Sequence, residues 1–585
     1  MSGNLSTSAH SAHSASASSG ALTVRAYSGD QCVMLAFNVA EHKRKDLAGF
    51  SIRRRFKGGS WSPLLNRLSF TSDYTNETTA KDRKWHSSED APFQKFWWVD
   101  FPASDAFGEL EYEVSVKLFS AAHSAALTTG DTVSIKAMCQ PFKQKNFELA
   151  FTRGYLSSQA YTDKFGAKTI SPKQKAIDFP TADYVAQYEW LGAHARVAII
   201  DFLNECYLNK DATLDAMVYD FNEPDIVRAL AVLGKKVRIV MDNSATHVGD
   251  KALEPQAEAL LQKSAGKANV KTGKFSRYQH NKVFVMRIKG KPARVLTGST
   301  NFSVTGLYVN ANHVAIFSDS DVAQLYAQSF EAAFNGGLST PKFTADKISQ
   351  QEYAINKPGL PSSVFSFAPH KKNAFSLDRL QNEMNTANSS VLFAVMALVG
   401  QSSVLDTLRT IHDDGKIFSY GITDNPGGKD GEKNSADNKK STSGVQVYSP
   451  GKPGVLVTSA ALNKLVPPPF NKEMQEGLAH KIHHKFVVVD FNDSKPVVFF
   501  GSSNLAEGGE QENGDNLIAI YDQEVATVFA IEAVRLVDHY AFRAAVSTAQ
   551  KATPLRLKFN DEDWSKNYYT PGHIKFKERI LFSKS

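Results

Sequence analysis

The stretch HNKVFVMR at residues 280–287 recurs as HHKFVVVD at residues 483–490, and this repeat decides the fold. Two further segments repeat with it. GSTN (298–301) matches GSSN (501–504), and NHVAI (312–316) matches DNLIA (515–519). The paired segments start at 280 and 483, 298 and 501, and 312 and 515, a constant offset of 203 positions. A shared register over three separated segments indicates an internal duplication.

The residue types in the repeat suit the binding of a phosphodiester. In an extended segment the His and Lys of an H-x-K pattern lie on one face, because side chains alternate along the chain. Two lysines would neutralise the non-bridging oxygens of the phosphate, and the glycine of each GSxN segment would let the backbone approach an anion. The predicted phosphate-binding side chains are Ser299, Asn301, Ser502 and Asn504.

Paired histidines predict a two-step displacement. One imidazole would attack phosphorus and form a phosphohistidine, and the other would protonate the leaving oxygen and then deprotonate water. We expect no metal and no cofactor, because the lysines supply the positive charge and the sequence has no obvious carboxylate cluster for a two-metal site. One chain contains both half-sites, so a monomer is sufficient for one active site.

The paired HxK(x4)D and GSxN motifs resemble those of the phospholipase D superfamily over about residues 150–545. The resemblance implies a two-lobed α/β fold with pseudo-twofold repeats and a site in the cleft between the lobes. It also implies a covalent histidine intermediate. The catalytic residues that it implies are His280, Lys282, His483, Lys485 and Asp515.

Two positions depart from the family pattern. The motif ends in an acidic residue, which the second half has as Asp490, whereas the first half has Arg287. Five strand residues past the lysine is about 16 Å, so we interpret this position as a supporting group at the strand end.

The second departure concerns the acidic residue that orients a catalytic histidine in the family. Asp515 is acidic, but the equivalent Asn312 is neutral, so only one imidazole receives a charged partner. The sequence leaves open whether Asp515 reaches His483 in its own half or His280 in the other. The resemblance favours His280 as the nucleophile.

From residue 141 onward the sequence pattern is typical of an α/β protein, in which buried strands alternate with amphipathic helices. RVAIIDF (196–202) is predicted as a strand, DIVRALAVLG (225–234) as a helix and KKVRIVMDN (235–243) as the next strand. We predict lobe 1 over residues 141–350 and lobe 2 over 351–550, followed by a C-terminal tail (551–585) packed on the body.

Residues 21–140 predict a separate domain. Six short β-branched or aromatic runs separated by polar segments are typical of an antiparallel β-sandwich, with a weak resemblance to fibronectin type III or immunoglobulin domains. Residues 1–20 are rich in Ser, Ala and His and predict a disordered tail. The polar segment 426–446 predicts a mobile loop.

Composition restricts the location and the partner. The formal net charge of +7 favours an anionic partner without choosing which one. The N-terminus lacks the cationic start and apolar run of a signal peptide, and no apolar stretch is long enough to span a bilayer. We expect a cytoplasmic protein, with leaderless export as the alternative.

Three functions remain open from the sequence. The favoured one is a phospholipase D that acts on phospholipid at a membrane surface as a peripheral protein, by hydrolysis or by transfer to an alcohol. The alternative is a nuclease acting on DNA or RNA, for which Arg53–Arg55 and the C-terminal KFKER (575–579) offer phosphate contacts. The third is a catalytically inert binding protein on the same fold.

Overall fold

The computed structural model describes residues 14–79, 81–103, 106–121, 125–154, 158–166, 168–172, 176–249, 252–371, 375–397, 402–425, 455–458 and 482–584. Residues 1–13 of the predicted tail and the predicted mobile loop at 426–446 lie outside the described residues. Within the described chain, no helix combines the length and the apolarity needed to cross a bilayer.

The N-terminal region contains two four-stranded antiparallel sheets, ordered β1-β2-β3-β8 and β10-β9-β4-β5. Apolar side chains from both sheets share one core that includes Val24, Phe37, Phe50, Tyr112 and Ile135. The strands are β1 (Ser14–Ser19), β2 (Leu22–Ser28), β3 (Val33–Val39), β4 (Leu47–Phe56), β5 (Ser62–Pro63), β8 (Trp97–Asp100), β9 (Gly108–Phe119) and β10 (Leu127–Cys139), with a small separate pair, β6 (Leu65–Asn66) and β7 (His86–Ser87).

Strand β1 lies inside the predicted disordered tail, so that prediction is wrong for Ser14–Ser19. The strand pairs with β2 from Ser14↔Tyr27 to Ser19↔Leu22. Strand pairing satisfies backbone N–H and C=O groups, so a Ser/Ala segment with little apolar surface can still join a sheet edge. Only Ala17 of this strand is buried.

Lobe 1 is an eight-stranded mixed sheet ordered β11-β12-β19-β18-β17-β13-β14-β15. Its strands are β11 (Phe142–Lys143), β12 (Phe147–Phe151), β13 (Ala212–Val218), β14 (Val237–Asp242), β15 (Val270–Gly273), β17 (Val283–Ile288), β18 (Lys291–Gly298) and β19 (His313–Phe317). Its helices are α1 (Gln159–Phe165), α2 (Val185–Leu208), α3 (Pro224–Leu233), α4 (Glu254–Ala265), α5 (Val304–Tyr308), α6 (Ser320–Gly336) and α7 (Thr340–Ala345).

Lobe 2 follows the same strand sequence, ordered β20-β21-β27-β26-β25-β22-β23-β24. Its strands are β20 (Tyr353–Ile355), β21 (Ser362–Ala368), β22 (Ser390–Ala397), β23 (Phe418–Asn425), β24 (Val455–Thr458), β25 (Lys485–Val489), β26 (Val497–Gly501) and β27 (Asn513–Tyr521). Its helices are α8 (Phe375–Asn385), α9 (Ser403–Asp414), α10 (Glu507–Glu512) and α11 (Gln523–Thr548). In both lobes the last three strands of the order are parallel, so their carboxyl ends meet at one edge.

The segment RVAIIDF (196–202) is helical, which corrects the strand prediction. It lies within α2, whose buried residues recur at helical spacing, as in Leu191, Ala195, Ile199 and Phe202. Val197 within this run is 49% exposed. The apolar run therefore belongs to a period of about 3.6 residues, and a short apolar stretch alone cannot distinguish the two structures.

The lobes and the N-terminal domain are packed together. One core contains side chains of both lobes and of strand β3, among them Ala36, Phe330 and Phe529. The predicted C-terminal tail forms α12 (Asp561–Tyr569) and α13 (Ile574–Ser583). The Tyr569 hydroxyl donates to the carbonyl of Val39 at 2.9 Å, so this tail is fastened to the N-terminal sheets.

Candidate active site

The two histidine segments are each paired with the opposite lobe. Strand β16 (Tyr278–Gln279) of the first half joins β27 of lobe 2, and the His280 N–H donates to the carbonyl of Gly514 at 2.9 Å. In the second half the His483 N–H donates to the carbonyl of Ala311 at 3.0 Å. Equivalent backbone contacts therefore place both histidines at the boundary between the lobes.

Each imidazole is held by a polar side chain from the other lobe. The Nδ1–H of His280 donates to Oδ1 of Asp515 at 2.8 Å. The Nδ1–H of His483 faces Oδ1 of Asn312 at 2.9 Å and the carbonyl of Ser299 at 3.1 Å. The structure thus answers the question that the sequence left open, because Asp515 reaches across to His280. In this tautomer Nε2 of each ring carries the lone pair.

The two lysines are buried beside these rings. Lys282 donates to the carbonyl of His280, and Lys485 donates to the carbonyl of His483 at 2.8 Å. Nζ of Lys282 also lies 4.7 Å from the ring centroid of Tyr219. Burial lowers the pKa of Lys282 to about 7, and burial together with the charge of Lys282 holds the pKa of Lys485 well below its ordinary value. The two ammonium groups repel each other and would gain from a bound anion.

His280 is neutral near pH 7. Burial and then the charge of Lys282 lower its pKa to about 4, although the Asp515 carboxylate acts in the opposite direction. The charge of Lys485 also lowers this pKa. A histidine that senses both lysines lies in one electrostatic environment with both half-sites, and its unprotonated Nε2 is available as a nucleophile.

The serines of the GSxN segments are engaged within the protein. The hydroxyl of Ser299 donates to Oδ1 of Asn312 at 2.8 Å and accepts from the His313 N–H at 3.1 Å. The hydroxyl of Ser502 accepts from the Asn516 N–H at 3.0 Å. Because the single hydrogen of Ser299 is used, its contacts favour a positioning role over the predicted phosphate contact.

The asparagines of the same segments keep hydrogen-bonding capacity. Asn301 donates to Oδ2 of Asp220 at 3.5 Å, a weak contact. Within the described chain, Oδ1 of Asn301 and of Asn504 has no hydrogen-bond partner. Phosphate oxygens accept hydrogen bonds, so the donors that could reach them are the Nδ2 groups, and phosphate binding by Asn301 and Asn504 stays a prediction.

The motif glycines serve strand packing. Gly298 has φ of 147°, and a Cβ there would lie 2.3 Å from the carbonyl oxygen of His313. Gly501 has φ of 156°, and its Cβ would lie 2.3 Å from the carbonyl oxygen of Asn516. The close approach that requires glycine is therefore to the neighbouring strand, which differs from the anion contact predicted from the sequence.

Sequence reasoning missed two strand-end carboxylates and an aromatic wall. Asp242 accepts from the Gln279 N–H at 2.6 Å, and Asp424 accepts from the Ile482 N–H at 3.1 Å. Gln279 and Ile482 are the residues immediately before His280 and His483. The ring centroid of Tyr219 lies 4.7 Å from that of His280. The available signal was the Asp near the carboxyl end of the predicted strand KKVRIVMDN, where side chains of parallel strands converge.

The position where the motif departs from the family has different partners in the two lobes. The Asp490 carboxylate accepts from the backbone N–H groups of Asn388 at 2.9 Å and Ser389 at 2.8 Å. Arg287 instead donates to Asp215 at 2.6 Å and to Glu331 at 3.1 Å. Both residues lie at the ends of their strands, away from the histidines.

Comparison with known proteins identifies the family. The model of the family described as "Cardiolipin synthase, PLD-like domain" matches residues 199–334 and 380–536, together half of the chain. The chain belongs to the phospholipase D superfamily. The two matched segments contain the two HxK and GSxN repeats, so the predicted family is confirmed. The match does not include residues 1–198, and the fibronectin-like or immunoglobulin-like character of the N-terminal region stays a prediction.

Among curated proteins of this superfamily, the mitochondrial cardiolipin hydrolases of Xenopus laevis and Xenopus tropicalis are each 30% identical over 127 residues. That stretch is 21% of this chain and 55% of either relative, so the chain spans about half the length of the curated relatives it matches. Among solved structures, phosphatidylserine synthase of Haemophilus influenzae matches with TM-score 0.37 and 10% identity, over 67% of this chain and 93% of that chain. Nuc, a phospholipase D family member from Salmonella typhimurium, matches with TM-score 0.21 and 23% identity, over 24% of this chain and 88% of that chain.

Proposed function

We propose that this chain is a metal-independent phosphodiesterase that acts through a phosphohistidine at His280. The observation that carries the proposal is the cross-lobe pairing, in which Asp515 holds Nδ1 of His280 and Asn312 holds Nδ1 of His483. Each imidazole thereby uses Nδ1 in its contact across the lobe boundary, two buried lysines lie beside the rings, and we assign the chemistry to the two Nε2 atoms.

The first step forms a phosphorus–nitrogen bond and breaks a phosphorus–oxygen bond. Nε2 of His280 attacks phosphorus while His483, protonated at Nε2, donates that proton to the departing oxygen. In the second step neutral His483 removes a proton from water, the water oxygen attacks phosphorus, and the bond to His280 breaks. The released phosphate monoester, neutral His280 and protonated His483 restore the starting state.

The two orienting groups suit these different roles. The phosphohistidine ring is cationic, and the Asp515 carboxylate on its Nδ1 stabilises that charge. Asn312 is neutral and does not hold the proton of the His483 imidazolium as a carboxylate in its place would, so His483 releases that proton more easily to a leaving group. This division favours His280 as nucleophile and His483 as acid and base.

The lysines and the two motif asparagines would hold the non-bridging oxygens. Buried ammonium groups strengthen their interaction with an oxyanion as negative charge develops, because little water screens them. The lowered pKa of Lys282, about 7, implies that substrate binding is coupled to proton uptake by this lysine near pH 7.

We favour phospholipid over nucleic acid as the substrate. The family description and the names of the Xenopus relatives refer to cardiolipin, which supports a lipid phosphodiester. The protein would bind the membrane surface as a peripheral protein. It would act on the lipid by hydrolysis or by phosphatidyl transfer to an alcohol.

The contacts of the basic stretches weigh against the nuclease alternative. Arg53, Arg54 and Arg55 pair with Glu113 at 2.7 Å, Asp100 at 2.5 Å and Glu111 at 2.6 Å, respectively. In the C-terminal KFKER, Lys575 pairs with Glu578 at 3.0 Å. These cations are largely neutralised within the fold, so they offer less to a nucleic-acid backbone than the sequence alone suggests.

The test uses the full chain in excess EDTA with two substrate classes. One is vesicles of phosphatidylcholine and cardiolipin with a primary alcohol present, and the other is plasmid and single-stranded DNA. We expect phosphatidate or phosphatidyl-alcohol from the vesicles, and His280→Ala and His483→Ala each to lower the rate about 10⁴-fold.

His86→Ala, a substitution in the N-terminal region far along the chain from both motifs, is the matched control and should keep full activity. Cleaved DNA with intact lipid would replace the lipid proposal by the nuclease alternative. No turnover of either class would favour the inert binding protein, and near-full turnover by either motif-histidine variant would contradict the two-histidine mechanism.

A further inference from the structure

A buried cluster of three metal-ligating residues lies beside the phosphodiester site in lobe 1. It is formed by Asp220, which follows strand β13, His247, in a 3-10 turn after strand β14, and Glu254, at the start of helix α4. One candidate ligand atom from each residue lies within 4.8 Å of the others. His247 and Glu254 are only 6% and 5% exposed, while Asp220 is half-buried and leaves one side accessible.

The imidazole of His247 is already oriented for coordination. Its Nδ1–H donates to Oδ1 of Asp242 at 2.9 Å. A histidine whose Nδ1–H is held by a carboxylate is left with Nε2 as its ligand atom, and this arrangement commonly supports histidine ligands of metals. The Tyr219 ring packs against this imidazole in a T-shaped contact, with the centroids 4.5 Å apart, which restrains the plane of the imidazole.

Two ligand atoms of the cluster lack a protein partner. Oε1 of Glu254 accepts from the Phe221 N–H at 3.1 Å, but Oε2 has no hydrogen-bond partner in another described residue, and neither does Nε2 of His247. Burying a carboxylate is costly unless it is paired with a cation or fully hydrogen-bonded. Oε2 of Glu254 and Nε2 of His247 are therefore available to coordinate an ion bound within the cluster.

The duplicated frame does not require this cluster. Strand β13 is equivalent to β22, with Leu214 matching Val391 through their pairing with the repeated strands β17 and β25. Asp220, six residues after Leu214, therefore corresponds to Ala397, six residues after Val391. A group needed only to support the histidine segments would be expected in both lobes, as Asp242 and Asp424 are.

We propose that Asp220, His247 and Glu254 bind one divalent transition-metal ion, Zn²⁺ or Mn²⁺. One imidazole nitrogen and two carboxylate oxygens are a donor set that both ions accept, and a three-residue set leaves a coordination position for water or an anionic ligand. The ion lies outside the proposed displacement, in which the lysines supply the positive charge. It is linked to the site because Oδ2 of Asp220 also accepts from Ser303 at 2.6 Å and from Asn301.

Metal binding is measured directly, so the test is independent of the phosphodiesterase proposal. The full chain is stripped with EDTA, desalted and titrated separately with ZnCl₂ and MnCl₂ by calorimetry, and bound metal is counted by mass spectrometry. His10→Ala and His13→Ala are included in every protein, because imidazoles near the N-terminus could bind metal by themselves. We expect one ion per chain.

Glu254→Gln and His247→Gln should each weaken binding at least about 10-fold. Glu258→Gln, one turn further along helix α4 and half-buried, is the matched control and should bind as the parent does. Thermal melts in EDTA verify that each variant is folded. The proposal is overturned if neither ion binds more tightly than about 1 mM, or if the parent and the folded Glu254→Gln protein bind equally.

Discussion

The two lobes share a backbone frame but differ in the titratable groups that the frame carries. In both, the histidine N–H donates to a carbonyl of the opposite lobe, and a strand-end aspartate holds the preceding N–H. The following helices begin alike, with Asp319 and Asp522 capping α6 and α11. The orienting groups differ, since His280 has Asp515 whereas His483 has Asn312. The shared frame places the two rings, and the divergent groups suit the different roles that we propose for them.

A second repeated contact between the lobes has diverged further. Asn281 accepts from Asn516 at 2.9 Å, and the equivalent pair in the other half is His484 with His313, whose Nδ1 atoms lie 3.1 Å apart. His484 also contacts Glu532 at 3.0 Å. Burial lowers the pKa of both histidines and favours their neutral forms. The histidine pair therefore joins the two lobes through an uncharged contact, as the asparagine pair does. The proposed reaction gives these two histidines no role.

The largest expected difference between the lobes is in the covalent step. With bis(p-nitrophenyl) phosphate, the leaving group needs no proton, so His483→Gln should still release one equivalent of p-nitrophenol and retain an acid-labile adduct on His280. His280→Gln should form no adduct, a loss of about 10⁴-fold or more in that step. Rapid-mixing absorbance and mass spectrometry of the peptide measure both results. An adduct on His483 in the His280→Gln protein would reverse the assignment.

Exchanging the orienting groups should come next in size. Asp515→Asn removes the charge that stabilises the cationic intermediate and should lower kcat about 10²- to 10⁴-fold. Asn312→Asp should cost about 10-fold or less, because it only strengthens the hold of His483 on its proton. In the double variant the adduct should move toward His483, as peptide mapping would detect. Equal effects of the two single changes would contradict a division of roles.

The pH dependence should be bell-shaped and displaced toward acid. The reaction needs neutral His280 and charged Lys282, so kcat/KM should fall below the His280 pKa of about 4 and above the Lys282 pKa of about 7. Asp515 raises the His280 pKa, so Asp515→Asn should move the acid limb to lower pH and leave the basic limb in place. Steady-state rates with a soluble aryl phosphodiester measure this. An acid limb that moves to higher pH would show that the carboxylate does not act on His280.

The smallest difference concerns the strand ends and should appear in stability. Asp490→Ala removes the acceptor for the Asn388 and Ser389 N–H groups and should lower the free energy of unfolding by about 2–4 kcal/mol. Arg287→Ala should cost about 1 kcal/mol, because Asp215 keeps its contact with Arg238 at 2.8 Å. Denaturant melts compare the two, and turnover by the folded proteins should be unchanged. A turnover loss in Asp490→Ala matching that of Asp515→Asn would place Asp490 in the chemistry.

Much of the architecture could be predicted because the local hydrophobic periodicity of the sequence distinguishes its strands from its helices. The strand predicted from KKVRIVMDN is observed as β14. The predicted helix that precedes it is observed as α3, which ends just before Gly234. The failures have physical reasons. RVAIIDF is a short apolar run whose helical period is visible only over the whole of α2. Ser14–Ser19 forms a strand through backbone pairing, which its small side chains do not predict. The hydrogen bond from Ser299 to Asn312 depends on the fold, so the sequence could not show it, and the phosphate contact of Ser299 stays a prediction.

The amino-acid sequence by itself determined the duplication and the set of reactive groups, because a constant offset and the residue types are properties of the chain alone. Tertiary structure decided how these groups are shared between the halves. His280 meets Asp515 across 235 residues and His483 meets Asn312 across 171, and the packing of the two lobes sets both contacts. Tertiary structure also brought Tyr219 and the cluster around His247 to the site, since strand ends that are far apart in sequence converge only once the parallel sheet has formed.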